Sequence, residues 1–211
     1  MKPGDFLLGV FEFFAILLPG ALATWLAVQY IPRSALHDAL AFGPGTPDPD
    51  ALVLGTALLV SSYTFGHFVF MAGSKLDGLY DRWRKRAKPA SRDATFKAAQ
   101  QLHESLNENL AGGDFSTLKW AKAYIQIKAQ PARAEIDRLE ADQKFFRSLV
   151  VIAVAFAAHF LLREAEPAAG VASIVMGLLA YQRYVEQRWK MSELIYATAV
   201  IVHSTSATPA P

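Results

Sequence analysis

Four apolar stretches alternate with polar ones along the 211-residue chain. Residues 6–29 contain one charged side chain, Glu12, and residues 51–73 contain none. Both exceed the roughly 20 apolar residues that a helix needs to cross a ~30 Å hydrocarbon core. Residues 145–162 and 168–185 are shorter, and the short REAEP segment between them predicts a tight helical hairpin. The pattern predicts an all-α membrane protein with four transmembrane helices, a pair plus a hairpin. A buried hairpin in a soluble core is the alternative for the second pair.

A polar insert, residues 75–144, separates the second and third apolar stretches. Its apolar residues recur at helical spacing and predict a small helical bundle, with breaks at Pro89, at an AGGD turn and at Pro131. A similar stripe in 186–211 predicts that the last helix continues before a disordered end, STSATPAP. The predicted segments are 1–74, 75–144, 145–185 and 186–211. The stripe residues are Phe96, Ala99, Leu102, Leu106, Leu110, Leu118, Ala121, Tyr124, Ile125, Trp189, Leu194, Ile195, Tyr196, Val200 and Ile201.

Basic residues near the ends of the apolar stretches predict the orientation, because cytoplasmic loops are enriched in Lys and Arg. The loop 31–50 contains one arginine, whereas residues 75–92 contain seven basic residues. Arg183, Arg188 and Lys190 follow at the end of the fourth stretch. We therefore expect a multi-pass membrane protein with both termini and the insert in the cytoplasm.

Two ionisable side chains lie at matching depth in the first two stretches. Glu12 and His67 are each about six residues, or roughly 9 Å, from the same face. An ionisable group in hydrocarbon costs ~2.5–3.5 kcal/mol or more and usually faces a partner or a wet cavity. We therefore predict an intramembrane Glu12–His67 pair, either as a structural hydrogen bond or in handling protons or ions. The alternative is that Glu12 reaches the interface. His159, near the outer end of the third stretch, has no evident partner and is expected to pack.

Small residues spaced four apart predict close contacts between helices, because they let backbones approach. Ser61 and Thr64, which are close in sequence to Ser62 and Gly66, are expected to donate hydrogen bonds to carbonyls of their own helix. Pro19-Gly20, in the middle of the first stretch, predicts a kink. The predicted packing pairs are Ser62 with Gly66 and Ser173 with Gly177.

Basic and aromatic residues gather at the predicted inner boundary. One interpretation is interfacial anchoring together with an Arg–Glu pair through Glu193; the other is a ligand or lipid-headgroup site. The run RWRKRAK favours anionic headgroups of the bilayer at about 1 kcal/mol per basic residue. We expect no nucleic-acid partner, because no base-reading aromatic array accompanies the basic residues. The members of this cluster are Trp83, Arg84, Arg86, Arg147, Tyr181, Tyr184 and Arg188.

The sequence contains no catalytic or cofactor-binding motif of the G-x-S-x-G, HExxH, P-loop or dinucleotide type. The absence of cysteine excludes disulfides and thiolate metal sites. We therefore expect no catalytic residue, no metal and no cofactor. An intramembrane enzyme would need a polar cavity that joins Ser61 or Ser62 to His67.

Three strings carry a resemblance: SSYTFGHFVF at 61–70, FFRSLVV at 145–151 and YQRYVEQRWKMSELIY at 181–196. With the four-span pattern, they resemble uncharacterised small bacterial inner-membrane proteins that have a cytoplasmic helical insert. Some small multi-span bacterial proteins serve antiphage systems as membrane sensors or membrane-disrupting effectors. The resemblance covers the architecture over most of the chain and assigns no site residue.

This resemblance implies a non-enzymatic, self-associating protein, expected to be a homo-oligomer. Its insert would receive a cytosolic protein partner or a signal, and its spans would act as a channel or membrane-perturbing effector. One alternative is a membrane scaffold that recruits a cytosolic protein without changing permeability. An intramembrane enzyme is the other.

Overall fold

The computed structural model describes residues 3–32, 35, 51–86, 90–107 and 116–207, without side chains at some positions, among them 3–12 and 83–86. The helices are α1 (Pro3–Val28), α2 (Ala51–Gly73), α3 (Lys75–Arg86), α4 (Ala90–Asn107), α5 (Thr117–Lys128), α6 (Gln130–Leu162) and α7 (Pro167–Ala207). No strand occurs in the described part of the chain, so the prediction of an all-α fold is confirmed.

Three stretches of helix are long and apolar enough to cross a membrane. They are Leu52–Arg82, Ala132–Leu162 and Pro167–Thr205. In the most apolar window of the first, only 17% is buried inside the protein, so most of its apolar side chains face outward. Such a surface is typical of helices that face a bilayer, and it supports the prediction of a membrane protein. The described apolar part of α1, Ala15–Val28, is shorter than these three.

The last two helices form a hairpin with a short connection. Helix α6 ends at Leu162 and α7 begins at Pro167, a residue suited to the first position of a helix. In the turn, Ala165 has a φ of 53°, in the left-handed region, and the Glu166 N–H donates to the Phe160 carbonyl at 2.9 Å. The turn therefore reverses the chain within four residues and satisfies one of the free carbonyls at the end of α6.

The chain divides into two compact units. The span unit comprises Gly9–Gly78 and Lys144–Tyr184. The insert unit comprises Leu79–Gln143 and Val185–Pro211, together with Met1–Leu8. Helices α6 and α7 each contribute residues to both units without a break in the helix.

One apolar core holds the insert unit together. Its buried residues, from α4 to α7, are Ala99, Ala121, Ile125, Ile136, Met191, Ile195, Tyr196 and Ala199. Phe96, Leu118, Tyr124, Leu194 and Val200 pack against it, and these positions confirm the predicted helical stripes. Ile201, the last residue of the stripe, lies in the continuing helix α7 but is 60% exposed. Leu110 lies outside the described residues.

The ends of the insert helices agree only in part with the prediction. Helix α5 ends at Lys128 and α6 begins at Gln130, so a break occurs where Pro131 predicts one, with Pro131 in the first turn of α6. Helix α7 extends to Ala207, so the disordered end predicted from residue 204 is wrong for its first four residues. Pro89, the AGGD turn and residues 208–211 lie outside the described residues.

Candidate functional site

The residues predicted to gather at the inner boundary form two polar contacts, each inside one unit. Arg147 and Tyr184 take part in a contact of the span unit, and Arg188 takes part in one of the insert unit. The Tyr181 ring lies beside that of Tyr184, with 6.0 Å between the centroids. The remaining members have backbone positions in α3 but side chains outside the described set: Trp83, Arg84 and Arg86.

In the span unit, Asp77 is held by two donors from different helices. Arg147 Nη1 donates to Asp77 Oδ2 at 2.8 Å, and the Tyr184 hydroxyl donates to Asp77 Oδ1 at 2.6 Å. The Arg147 guanidinium also lies 4.6 Å from the centroid of the Phe70 ring, a cation–π distance. We call these four residues the Asp77 site. They join the end of α2 and the start of α3 to α6 and α7.

The local sequence explains why Asp77 occupies this place. Helix α2 ends at Gly73, and Asp77 lies in the first turn of α3, where the helix dipole favours a negative charge. A Cβ added at Gly73 would lie 3.1 Å from Arg147 Cγ, so the absence of a side chain lets the arginine pass close to the backbone. A glycine and an acid at the junction of the two helices thus create room and charge for Arg147.

Burial gives the Asp77 site its energetic importance. The Arg147 side chain is 6% exposed and that of Asp77 32% exposed. Removing one partner of a buried ion pair typically costs about 3–5 kcal/mol, because the other charge remains without compensation. Among the described residues, Arg147 Nε and the neighbouring Ser148 hydroxyl are buried and have no hydrogen-bond partner. The site therefore contains one donor, Arg147 Nε, that this conformation leaves unsatisfied, at a cost of about 1–3 kcal/mol, and Ser148 beside it is a second such group.

In the insert unit, Arg188 contacts an acid and an aromatic ring of α3. Its Nη2 lies 3.2 Å from Asp81 Oδ1, and its guanidinium lies 4.7 Å from the centroid of the buried Tyr80 ring. Because the Asp81 side chain is 54% exposed, we expect this ion pair to contribute little, about 0.2–1 kcal/mol. The sequence pointed to Glu193 as the acid at this boundary. It missed Asp77 and Asp81, whose partners lie 70 and 107 residues away along the chain.

The predicted Glu12–His67 pair stays a prediction, since the Glu12 side chain is outside the described set. His67 is exposed on α2, and its ring meets the Tyr63 ring edge to face with centroids 4.6 Å apart. Tyr63 in turn stacks with Phe13, the residue after Glu12 in α1, at 6.1 Å. His67 therefore lies on an aromatic surface formed by α1 and α2.

Helices α1 and α2 touch through their backbones at the predicted small residues. A Cβ added at Gly66 would overlap the carbonyl oxygen of Ile16. A Cβ added at Gly20 would overlap the carbonyl oxygen of Ser62 and lie 2.7 Å from the Gly66 nitrogen. Ser62 is buried, with 6% of its surface exposed. The contact that Ser62 and Gly66 make is therefore one within a single chain, and Gly20 contributes to it directly.

The other small and hydroxylic residues of the spans make less close or purely local contacts. A Cβ added at Gly177 of α7 would lie 3.1 Å from the Cβ of Ala153 in α6. The hydroxyls of Ser61, Thr64 and Ser173 donate to the carbonyl four residues earlier, at 2.5, 2.9 and 2.9 Å. The prediction that Ser61 and Thr64 bond to their own helix is confirmed. These three hydroxyls are thus satisfied within their own helices.

His159, for which the sequence shows no evident partner and which is expected to pack, is buried and also has a hydrogen-bond partner. A 3.0 Å hydrogen bond joins His159 Nδ1 and the Tyr30 hydroxyl, and His159 Nε2 lies 3.8 Å from Glu164 Oε1. The Arg163 guanidinium covers the Tyr30 ring at 4.5 Å, while His159 itself is 4% exposed. Tyr30 and His159 are 129 residues apart, and the only sequence signal was that both lie at the predicted outer ends of spans.

The described side chains include no group of three or more His, Asp or Glu residues placed to hold a metal ion. The cavity that the span unit contains is apolar and lies along α6 and α7, away from Ser61, Ser62 and His67 on α2. Comparison with protein-family models, with curated proteins and with solved structures finds no match to this chain.

Proposed function

We propose that this chain is a non-enzymatic, self-associating inner-membrane protein whose cytoplasmic insert unit senses a partner or signal and whose spans respond. The concrete form is a channel or membrane-perturbing effector, and the resemblance described above favours a role in antiphage defence. In this proposal α1 is the fourth span, and both termini lie in the cytoplasm. The 26 residues of α1 and the basic residues of 75–92 support this topology.

The continuity of α6 and α7 carries the proposal. Helix α7 has 41 residues, so it is about 62 Å long, roughly twice the thickness of the hydrocarbon core. About half of it must therefore lie outside the hydrocarbon if it crosses the membrane once. Because no residue within α6 or α7 leaves the helical conformation, a displacement of either helix in the insert unit is transmitted to the same helix in the span unit.

The Asp77 site supplies the element on which such a displacement acts. Arg147 and Tyr184 belong to the two continuous helices, and Asp77 belongs to neither. Sliding or rotating α6 or α7 relative to α3 breaks the hydrogen bonds to Asp77, which measure 2.6 Å from Tyr184 and 2.8 Å from Arg147. Since Arg147 Nε is unsatisfied in this conformation, a second arrangement can gain hydrogen bonds that the first lacks. A contact with two alternative arrangements is what a membrane switch requires.

Dye release from liposomes tests the proposal. Asp77→Asn removes the charge that holds Arg147, so we expect proteoliposomes of this variant to release dye faster than the wild type at equal protein density. Arg133→Gln is the matched control, because it removes an exposed charge of α6 whose partner among the described residues is Asp137, one turn away. Equal and negligible release from all three proteins would contradict the proposed effector and favour a scaffold that recruits a cytosolic protein.

A further inference from the structure

The span unit contains an apolar cleft that the proposed function does not use. Its volume is about 420 Å³, within the range of roughly 300–1,000 Å³ typical of small-molecule sites. Along α6 it runs from Phe146 to Phe156, a distance of about 15 Å. Ala172, Met176 and further residues of α7 form the opposite wall, and Leu22 of α1 closes one side.

The chemistry of the lining excludes a polar occupant. Ser173 provides the one hydroxyl among the lining side chains, and it already donates to its own helix at 2.9 Å. Met176 and Leu179, which line the cleft, are 62% and 55% exposed, so the cleft opens on the same apolar surface that faces outward from the spans. An occupant must therefore be a hydrocarbon group that reaches the cleft from the bilayer.

The length and volume of the cleft fit a flexible chain. The same cleft holds about 14 groups of the size of a water molecule or a methylene, at roughly 30 Å³ each. This number matches a long stretch of one acyl chain.

A basic residue lies where the headgroup of such a lipid would be. Arg183 follows Met176 by seven residues, so the two side chains lie about 20° apart around the helix axis. It follows Leu179 by four residues, which is about one helical turn. It is exposed near the end of the apolar stretch 168–185, for which the sequence predicts the cytoplasmic leaflet, where anionic lipids concentrate. An arginine binds a phosphate group through two parallel hydrogen bonds.

We propose that the cleft between α6 and α7 binds one acyl chain of an anionic membrane phospholipid, with Arg183 at the phosphate of the headgroup. This inference rests on the proposed placement of α6 and α7 in the membrane. It does not depend on whether the spans conduct or perturb the bilayer. Lipid binding and dye release are therefore separable results.

Native mass spectrometry of the full chain, purified in detergent and supplied with phosphatidylglycerol or phosphatidylcholine, tests the site. Ala172→Trp places a large ring in the cleft from an exposed position, and we expect it to abolish retention of phosphatidylglycerol. Val171→Trp is the matched control, since the neighbouring residue is 56% exposed and does not line the cleft. Arg183→Gln should weaken the binding of phosphatidylglycerol about fivefold, which is equivalent to the ~1 kcal/mol contributed by one basic residue. It should weaken the binding of phosphatidylcholine less.

Two results would overturn the site. The first is equal retention of phosphatidylglycerol by the two tryptophan variants. The second is a loss of self-association in Ala172→Trp with lipid retention intact, which would identify the cleft as an interface between copies. An unchanged preference between the two lipids in Arg183→Gln would remove Arg183 from the headgroup position.

Discussion

Arg147 is a charged side chain whose burial depends on two partners, an acid and an aromatic ring. The guanidinium is planar and always charged, so it binds Asp77 and covers Phe70 at the same time. Lysine has the charge but cannot make both contacts with the same geometry. The identity of this residue, and not only its charge, therefore determines how α6 meets the junction of α2 and α3.

A double-mutant cycle at the Asp77 site measures this dependence. We expect Arg147→Met to lower the free energy of unfolding by about 3 kcal/mol, the lower end of the range for a broken buried pair, because Asp77 retains some solvent contact. Asp77→Asn should cost at least as much, since it leaves the more deeply buried Arg147 charge without an acid, although the amide oxygen still accepts a hydrogen bond from Tyr184. The double variant should fall short of the sum by about 0.5–3 kcal/mol, as measured by SDS-induced unfolding in micelles. Additive effects would show that the two side chains are energetically independent.

The Glu12–His67 pair is testable in the same way. If the two side chains relieve each other's burial, Glu12→Gln and His67→Ala should together cost less than the sum of the single variants, by about 0.5–3 kcal/mol. The contact between His67 and Tyr63 gives the alternative, in which His67→Ala loses an aromatic neighbour and Glu12→Gln has no influence on that loss. Tyr63→Leu separates the two cases. Under the alternative, Tyr63→Leu destabilises the protein as much as His67→Ala does. Under the pair hypothesis, the two destabilisations differ.

At the scale of elements, the sequence predicts what depends on periodicity and misses what depends on distance along the chain. The stripe positions Ala99, Ile125 and Ile195 are core residues because helical spacing alone places them on one face. The partners of Arg147 and His159 lie 70 and 129 residues away, and no local pattern connects such positions. Helix ends were intermediate: Pro131 marked a break correctly, whereas the polar composition after residue 203 concealed that α7 continues.

The contact between α1 and α2 allows a controlled test on a single helix. Gly66→Leu places a side chain where even a Cβ overlaps the Ile16 carbonyl, so the two backbones must separate. Gly55→Leu makes the same change on α2 where nothing lies within 4 Å of the added Cβ. We expect Gly66→Leu to lower the apparent melting temperature in detergent and Gly55→Leu to leave it unchanged or raised. Gly177→Leu should fall between them, because its added Cβ meets only the Ala153 side chain, at 3.1 Å.

At the scale of the molecule, the number of spans determines whether the two termini lie on the same side of the membrane. An even number of spans places both termini on the same side, and an odd number places them on opposite sides. The three long apolar helices alone give an odd number, so α1 decides the topology. Its position in the membrane also decides whether its contact with α2 at Gly20 and Gly66 is covered by lipid.

Cysteine labelling can determine the side of each terminus without background labelling, because the natural chain contains no cysteine. Single substitutions at Gly4, Ser34, Ser91 and Ser206 report on the first terminus, the loop 31–50, the insert and the last helix. With a membrane-impermeant maleimide on intact spheroplasts, we expect Ser34→Cys to be labelled and the other three to react only after permeabilisation, since the basic residues of 75–92 predict a cytoplasmic insert. Labelling of Gly4→Cys together with Ser34→Cys would mean that α1 does not cross the membrane. Labelling of Ser91→Cys and Ser206→Cys from outside would instead reverse the predicted orientation.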